Sequence, residues 1–178
     1  MADNENGAYE AVKYLYKNGH KRIGIILGIS DYSTTLERFN GFKKALVELN
    51  CNIPSDLIKN GDWTFEGGFK AMKEILNQET QLPSAIFACN DITAFGVIEA
   101  IKEAELHVPG DVSVIGFDNI AQCEYLTPRL TSVDVDVNTI AKAALQQLLS
   151  IIETQTDLNL KIVIPTKLVL RNSVKNIF

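Results

Sequence analysis

Short polar side chains stand at the ends of two apolar segments whose composition is typical of buried strands. Asn90 and Asp91 end the first of these, "SAIFACND", and Asp118 ends the second, "DVSVIGFD". In a parallel sheet, ligands bind beyond the carboxyl ends of the strands, so both positions are candidates for a binding crevice. An amide beside a carboxylate suits a neutral, hydroxyl-rich ligand, because together they offer hydrogen-bond donors and acceptors. The residues equally allow the alternative that these side chains only cap loops.

Helix-capping preferences assign different roles to the adjacent residues Asn90 and Asp91. An apolar helical pattern starts directly after them, and a helix start favours a side chain that accepts from free backbone N–H groups. We predict that Asp91 caps this helix. Asn90 would then be free to direct its donor and its acceptor into the crevice.

The elements that must position these residues alternate between strand and helix. Apolar runs bounded by glycine and polar residues predict strands over 22–28, 56–62, 84–90 and 111–118. Apolar residues at helical spacing predict helices over about 5–18, 34–50, 65–77 and 91–105. Strands joined by helices of this length need crossover connections. The sequence therefore predicts an α/β fold, a Rossmann-like parallel sheet with helices on both faces.

The alternation breaks after Asp118. Residues 119–137 have no helical period, and Pro128 would stop a helix there. A helix is predicted over about 138–153, and the segment 161–171 predicts two β segments. An apolar stripe lines one side of this last helix and consists of Ile140, Ala144, Leu148 and Ile151.

Composition and motifs limit the classes of function. The 178 residues carry a formal net charge of −5, which argues against direct contact with nucleic acid because phosphate binding needs a basic patch. No apolar run approaches the roughly 20 residues of a membrane span. The three cysteines are widely separated, which favours reduced thiols in the cytoplasm. We find no metal-ligand spacing, no phosphate-binding glycine motif and no Ser-His-Asp set, so we expect a protein without a catalytic site, metal or cofactor.

Seven stretches of the sequence are specific in wording, order and spacing: "NGAYEAVKYLYKNGHKRIGIILG", "ERFNGFKKAL", "NGDWTFEGGFKAM", "AIFACNDITAFGVIEAI", "VPGDVSVIGFDNI", "YLTPRLTSV" and "IPTKLVLRNS". Together they closely resemble the effector-binding domain of the lactose and galactose repressor (LacI/GalR) family of bacterial transcription regulators. The resemblance runs from about Asp3 to Ser173.

The resemblance implies a particular domain organisation. Members of the family have a helix-turn-helix, a hinge and two Rossmann-like lobes that resemble periplasmic binding proteins and hold the effector between them. Residues 5–118 and 160–173 would form the C-terminal lobe, and residues 119–159 would be a crossover and a helix that belongs to the other lobe. The regulator would be a cytoplasmic homodimer that contacts operator DNA only through the helix-turn-helix. A periplasmic sugar-binding protein of an uptake system is the alternative, because it shares the two-lobe fold.

The resemblance also implies effector contacts for four residues, with a carbohydrate as the expected effector. Arg38 would bond effector oxygens, Trp63 would pack against the ligand face, and Asn90 and Asp118 would bond sugar hydroxyls. By their residue types alone, Arg38 could be an exposed salt-bridging residue and Trp63 a core residue.

The apolar stripe on the helix predicted over 138–153 needs a partner, because the lobe on which it would pack is mostly outside this chain. Leaving a large apolar side chain in water forgoes about 1.5–3 kcal/mol. We expect the chain by itself to hide this stripe, either by folding the helix back on its own lobe or by docking it against a second copy. The length of the crossover favours self-association.

Overall fold

The computed structural model of the chain describes residues 1–52, 55–78, 81–154 and 160–178. Residues 155–159, the last five of the segment predicted to belong to the other lobe, lie outside the described residues. Within the described ranges, no helix is long and apolar enough to cross a membrane.

The helices and strands follow the alternation predicted from the sequence. The helices are α1 (Asn4–Lys17), α2 (Ser33–Glu48), α3 (Phe65–Gln78), α4 (Asp91–Glu103) and α5 (Val137–Thr154). The strands are β1 (Ile23–Leu27), β2 (Ile58–Asn60), β3 (Ala85–Ala88), β4 (Ser113–Asp118), β5 (Thr131–Asp134) and β6 (Lys167–Val169). Single turns of 3-10 helix over Ser55–Leu57 and Ala121–Glu124 precede β2 and follow β4.

The six strands form one sheet in the order β2-β1-β3-β4-β5-β6, in which only β6 runs antiparallel to its neighbour. The central strands are in register at Ile25, Phe87 and Ile115. The chain leaves β1 on one side to reach β2 and continues on the other side with β3, which makes β1 and β3 the switch point of the sheet. The carboxyl ends of parallel strands open into a crevice at such a point, and this is where ligands bind in open α/β sheets.

Each face of the sheet is covered by a pair of helices. Helices α1 and α2 pack on one face around Phe42, Phe87 and Phe117, and α3 and α4 pack on the other around residues such as Met72 and Ile86. All five of these side chains are completely buried. Burial of a side chain of this size is worth about 1.5–3 kcal/mol, so the two layers hold the strand ends in place.

The passage after β4 adds a strand to the sheet. The lobe was predicted to consist of residues 5–118 and 160–173. In the structure, β5 also pairs with β4, from Thr131 opposite Ile115 to Asp134 opposite Asp118. Leu130 and Cys123 are buried in the core beneath α4. Residues 121–134 therefore fold with this lobe, because they return the chain to the open side of β4 before α5 begins.

Helix α5 makes no extended packing interface with another helix or strand of the described residues. Folding back on its own lobe, one of the two routes predicted for hiding its apolar stripe, is therefore not what the structure shows. Its exposed apolar side chains also cover a wider face than the predicted stripe: Val137, Leu145, Leu148, Leu149 and Ile152 are between 48% and 65% exposed.

Candidate functional site

Arg38 is a buried charged residue at the carboxyl-terminal edge of the sheet. It lies in the second turn of α2 and is 6% exposed, so it is not a surface salt-bridging residue. All three of its guanidinium nitrogens donate hydrogen bonds within the chain. Nε donates to Oδ1 of Asn4 at 3.0 Å, Nη1 donates to the carbonyl oxygen of Cys89, and Nη2 donates to Oδ1 of Asp118 at 3.0 Å. These bonds fix the guanidinium between the start of α1 and the ends of β3 and β4.

Asp118 is the last residue of β4 and the ion-pair partner of Arg38. Its side chain is 33% exposed, so the carboxylate faces both the guanidinium and the solvent. Partial burial raises the pKa of Asp118 above its ordinary value, and the nearby positive charge of Arg38 opposes that rise. The backbone of Asp118 has a φ of 101°, in the left-handed region that favours glycine. Conformations of this kind cost roughly 1–3 kcal/mol and persist where the surrounding structure holds them, often at functional sites.

Trp63 lies over Gly28, which follows β1. A Cβ added to Gly28 would lie 2.0 Å from Cε2 of Trp63, so the indole occupies the space that any other residue at position 28 would fill. Cζ of Arg38 lies 5.4 Å from the centroid of the Trp63 ring. The same atom lies 3.7 Å from the centroid of the Phe117 ring. Trp63 is partly buried against the core and partly open. It therefore combines core packing with a ring face beside the guanidinium.

Asn90, and not Asp91, has the capping role at the start of α4. Asn90 is the N-cap of α4, and its Oδ1 accepts from the backbone N–H of Thr93 at 2.9 Å. Its Nδ2 donates to the carbonyl oxygen of Trp63 at 3.2 Å. The prediction that Asp91 caps the helix and leaves Asn90 free is wrong, because Asn90 has the extended backbone of a cap residue and Asp91 is already helical. Asn90 therefore holds the Trp63 backbone at the same edge.

Asp91 is completely buried and joins three elements. Its Oδ1 accepts from Oγ of Ser132 at 2.6 Å, and its Oδ2 accepts from the backbone N–H of Ile120 at 2.9 Å. The carboxylate packs directly on Gly116 of β4, where an added Cβ would lie 2.2 Å from Oδ1. Burial raises the pKa of Asp91 to about 6, although its hydrogen bonds favour the ionised form. Asp91 therefore fixes α4 against β4 and β5.

The structure brings the four residues predicted from the sequence to one sheet edge. Arg38 contacts Asp118 and faces Trp63, and Asn90 bonds the backbone of Trp63. Sequence reasoning missed Asn4 and Gly28 as supports of this arrangement, and it singled out Asp91 but gave it the wrong role. Gly28 carried a signal, since a glycine directly after a buried strand often marks a close approach of another group.

The chemistry of this edge is that of a binding site rather than of a nucleophile. It offers a cation, a partly open carboxylate and an aromatic face within a few ångströms. Cys89 lies beneath it, and burial raises the pKa of its thiol to about 12, which keeps it protonated. Among the described residues, no group of three or more His, Cys, Asp or Glu side chains is arranged to hold a metal ion.

Comparisons with known proteins identify the family of the chain. Residues 12–174 match the model of the periplasmic binding protein-like domain. The chain is 41% identical over 172 residues to the HTH-type transcriptional repressor PurR of Histophilus somni, covering 97% of this chain and 51% of the relative. The chain thus spans about half the length of the curated relatives it matches.

Solved structures show the same fold. A sugar-binding transcriptional regulator of the LacI family from Escherichia coli, complexed with phosphate, superposes with a TM-score of 0.90 at 32% identity, covering 99% of this chain and 63% of that one. The transcriptional regulator CelR in complex with cellobiose superposes with a TM-score of 0.91 at 29% identity, covering 97% of this chain and 52% of that one. The chain belongs to the periplasmic binding protein-like domain family, in the form carried by LacI-family transcriptional regulators.

Proposed function

We propose that this chain is the effector-sensing part of a LacI-type transcriptional regulator and that it binds a sugar or sugar derivative. Arg38, Trp63, Asn90 and Asp118 line the proposed site. The observation that carries the proposal is the Arg38–Asp118 ion pair. It lies at the carboxyl ends of β3 and β4, next to the switch point of the sheet and beside the face of Trp63, while Asp118 remains one third exposed. The Asp118 carboxylate is held in place by Arg38 but is still open to solvent, so a ligand can replace the water bound to it.

The hydrogen-bonding capacity of the site fits a ligand rich in hydroxyl groups. A carboxylate accepts several hydrogen bonds, and Asp118 can accept from sugar hydroxyls while it keeps its bond to Arg38. The guanidinium has five N–H groups and donates three hydrogen bonds to the protein, so donors are left for ligand oxygens. The C–H face of a sugar ring can pack on the indole of Trp63. The neighbouring regulator solved in complex with cellobiose supports a sugar as the ligand.

The exposed face of α5 supports the proposed domain organisation. In the whole regulator, residues 5–118 and 160–173 would form the C-terminal lobe together with β5, which pairs with β4, and α5 would pack its apolar face on the other lobe. Effector binding between the lobes would control operator binding by a helix-turn-helix that lies outside this sequence. The regulator would act as a homodimer in the cytoplasm, where the operator is, and it would bind the effector without catalysing a reaction.

A periplasmic sugar-binding protein of an uptake system is the second candidate, because it shares the two-lobe fold. The repressor relatives favour the first. The coding sequence upstream of this chain distinguishes the two, since the first requires a helix-turn-helix and the second requires a secretion signal.

A ligand screen on the full-length regulator, followed by titration of an Asp118 variant, tests the proposed site. Thermal shift with cellobiose, ribose and their phosphates identifies a binder, and calorimetry then measures its affinity. Asp118→Ala should weaken binding by about 2 kcal/mol or more, because it removes a partly buried charged acceptor. Asp111→Ala is the matched control, because it makes the same change where Asp111 precedes the opposite end of β4 and bonds only with His107 among the described contacts. Equal affinities for the two variants would exclude Asp118 from the site.

A further inference from the structure

Asn4 is a buried polar residue whose side chain does not serve its own helix. It is the first residue of α1 and is 4% exposed. The cap of α1 is supplied by Asp3, whose Oδ1 accepts from the backbone N–H of Asn6 at 3.2 Å. The Asn4 amide instead turns toward α2. Its Oδ1 accepts from Nε of Arg38 at 3.0 Å, and its Nδ2 donates to Oε2 of Glu37 at 2.8 Å.

The bond from Asn4 is the third of three contacts that hold the guanidinium of Arg38. The bonds to Cys89 and Asp118 hold the two terminal nitrogens, and the bond to Asn4 holds the third nitrogen, next to the side-chain stem. With all three nitrogens held by different elements, the plane of the guanidinium is fixed. Without Asn4, no described side chain accepts from Nε, and the Nε–H is held in place only through the bonds of the two terminal nitrogens.

The residues just before Asn4 are attached to the segment between α5 and β6. Ala2 pairs with Ile164 in a parallel bridge. The backbone N–H of Ile164 donates to the carbonyl oxygen of Met1 at 2.8 Å, and the N–H of Asp3 donates to the carbonyl oxygen of Ile164 at 2.9 Å. Residues 160–166 lead from the exposed helix α5 into the sheet. The hydroxyl of Thr166 also donates to the carbonyl oxygen of Asp3 at 3.3 Å. The chain therefore connects this segment to Arg38 through these hydrogen bonds and the side chain of Asn4.

We propose that Asn4 is a positioning residue that couples residues 160–166 to the orientation of the Arg38 guanidinium. The coupling bears on effector binding only if Arg38 has the role given under the proposed function. Displacement of residues 160–166 shifts Ala2 and Asp3, and Asn4 transmits that shift to Nε of Arg38. Effector held by Arg38 acts in the reverse direction, because coupling between two sites is reciprocal.

The first test measures the Arg38 side chain in this chain without any effector. The Nε–H signal of Arg38 in nitrogen-15 NMR spectra is assigned by its loss in Arg38→Lys, and its hydrogen exchange rate is measured. Asn4→Ala should speed this exchange by roughly tenfold or more, because it removes the acceptor. The double variant Asn4→Asp with Glu37→Gln should keep the exchange slow. The carboxylate at position 4 still accepts from Nε of Arg38. Its other oxygen accepts from the amide at position 37, which reverses the direction of the original hydrogen bond between these two positions. An unchanged rate in Asn4→Ala, or equally fast exchange in the double variant, overturns the role of Asn4.

A matched pair at Asp3 tests the connection to residues 160–166. Asp3→Pro and Asp3→Ala both remove the cap to Asn6, but only the proline also removes the N–H that bonds Ile164. The φ of Asp3 is −79°, which a proline accepts. Arg38 Nε–H exchange should rise several-fold in Asp3→Pro and stay within about twofold in Asp3→Ala. Equal rates in the two variants overturn the coupling. Because no effector is present, this result is independent of whether Asp118→Ala loses effector binding, so the two proposals fail separately.

Discussion

Replacing Asp91 with asparagine should change how the stability of the protein depends on pH. The carboxylate is completely buried between α4, β4 and β5, and it accepts hydrogen bonds from Ser132 and Ile120. Asparagine keeps the shape, and its oxygen can accept from Ile120 while its amide donates to the hydroxyl oxygen of Ser132. The Ser132 hydroxyl then loses Asp91 as its acceptor, which lowers the stability by an amount that does not depend on pH. The variant therefore removes the titrating buried charge, and the change with pH isolates its effect.

The expected size of the effect follows from the pKa of Asp91. Burial raises this pKa from 3.8 to about 6. A difference of about 2 pKa units at about 1.36 kcal/mol each corresponds to about 3 kcal/mol. The folded state favours the protonated carboxyl, so the stability that Asp91 contributes is full below pH 3.8 and is lost as the pH rises through about 6. Asp91→Asn cannot titrate, so its unfolding free energy lacks this loss.

Urea unfolding between about pH 4 and about pH 7, followed by circular dichroism, measures the effect. The unfolding free energy of Asp91→Asn minus that of the unsubstituted chain should increase by about 3 kcal/mol as the pH rises across this range. Asp31→Asn is the control, because it makes the same chemical change at an exposed position. A constant difference between Asp91→Asn and the unsubstituted chain at every pH would refute the reasoning, because it would mean that the buried carboxyl titrates alike in the folded and unfolded states.

Three further predictions concern the site edge, α5 and DNA. Gly28→Ala should displace the indole of Trp63, because the new Cβ would lie 2.0 Å from Cε2; unchanged emission of this single tryptophan would contradict the packing. The chain by itself should form dimers through the exposed apolar face of α5, and Leu148→Asp should shift them toward monomer in light scattering while Gln146→Asp, on another side of the helix, does not. A strictly monomeric chain at high concentration would exclude this contact. The chain alone should not retard operator DNA in a mobility-shift assay, because it carries 17 basic and 22 acidic residues; salt-sensitive retardation would contradict this.

The sequence by itself determined the order of the elements and the sheet edge at which the candidate residues lie. Bounded apolar runs and helical patterns are local properties, so they predicted the alternation from α1 to β4 and the parallel sheet. Asn90 and Asp118 could be placed at one edge because parallel strands end together. The resemblance to the repressor family added Arg38 and Trp63, which no local pattern would have connected to these strand ends.

Only the tertiary structure decided which side chain does what at that edge. Asn90 rather than Asp91 caps α4, because the backbone conformation at position 90 is set by the end of β3 and not by the preference of either residue. The bonds from Arg38 to Asn4 and from Ser132 to Asp91 join residues 34 and 41 positions apart, and no sequence period reports such distances. The apolar stripe of α5 likewise predicted that a face needs burial, but amphipathicity does not specify a partner. The described residues leave that face exposed because none of the elements around the sheet is positioned to cover it.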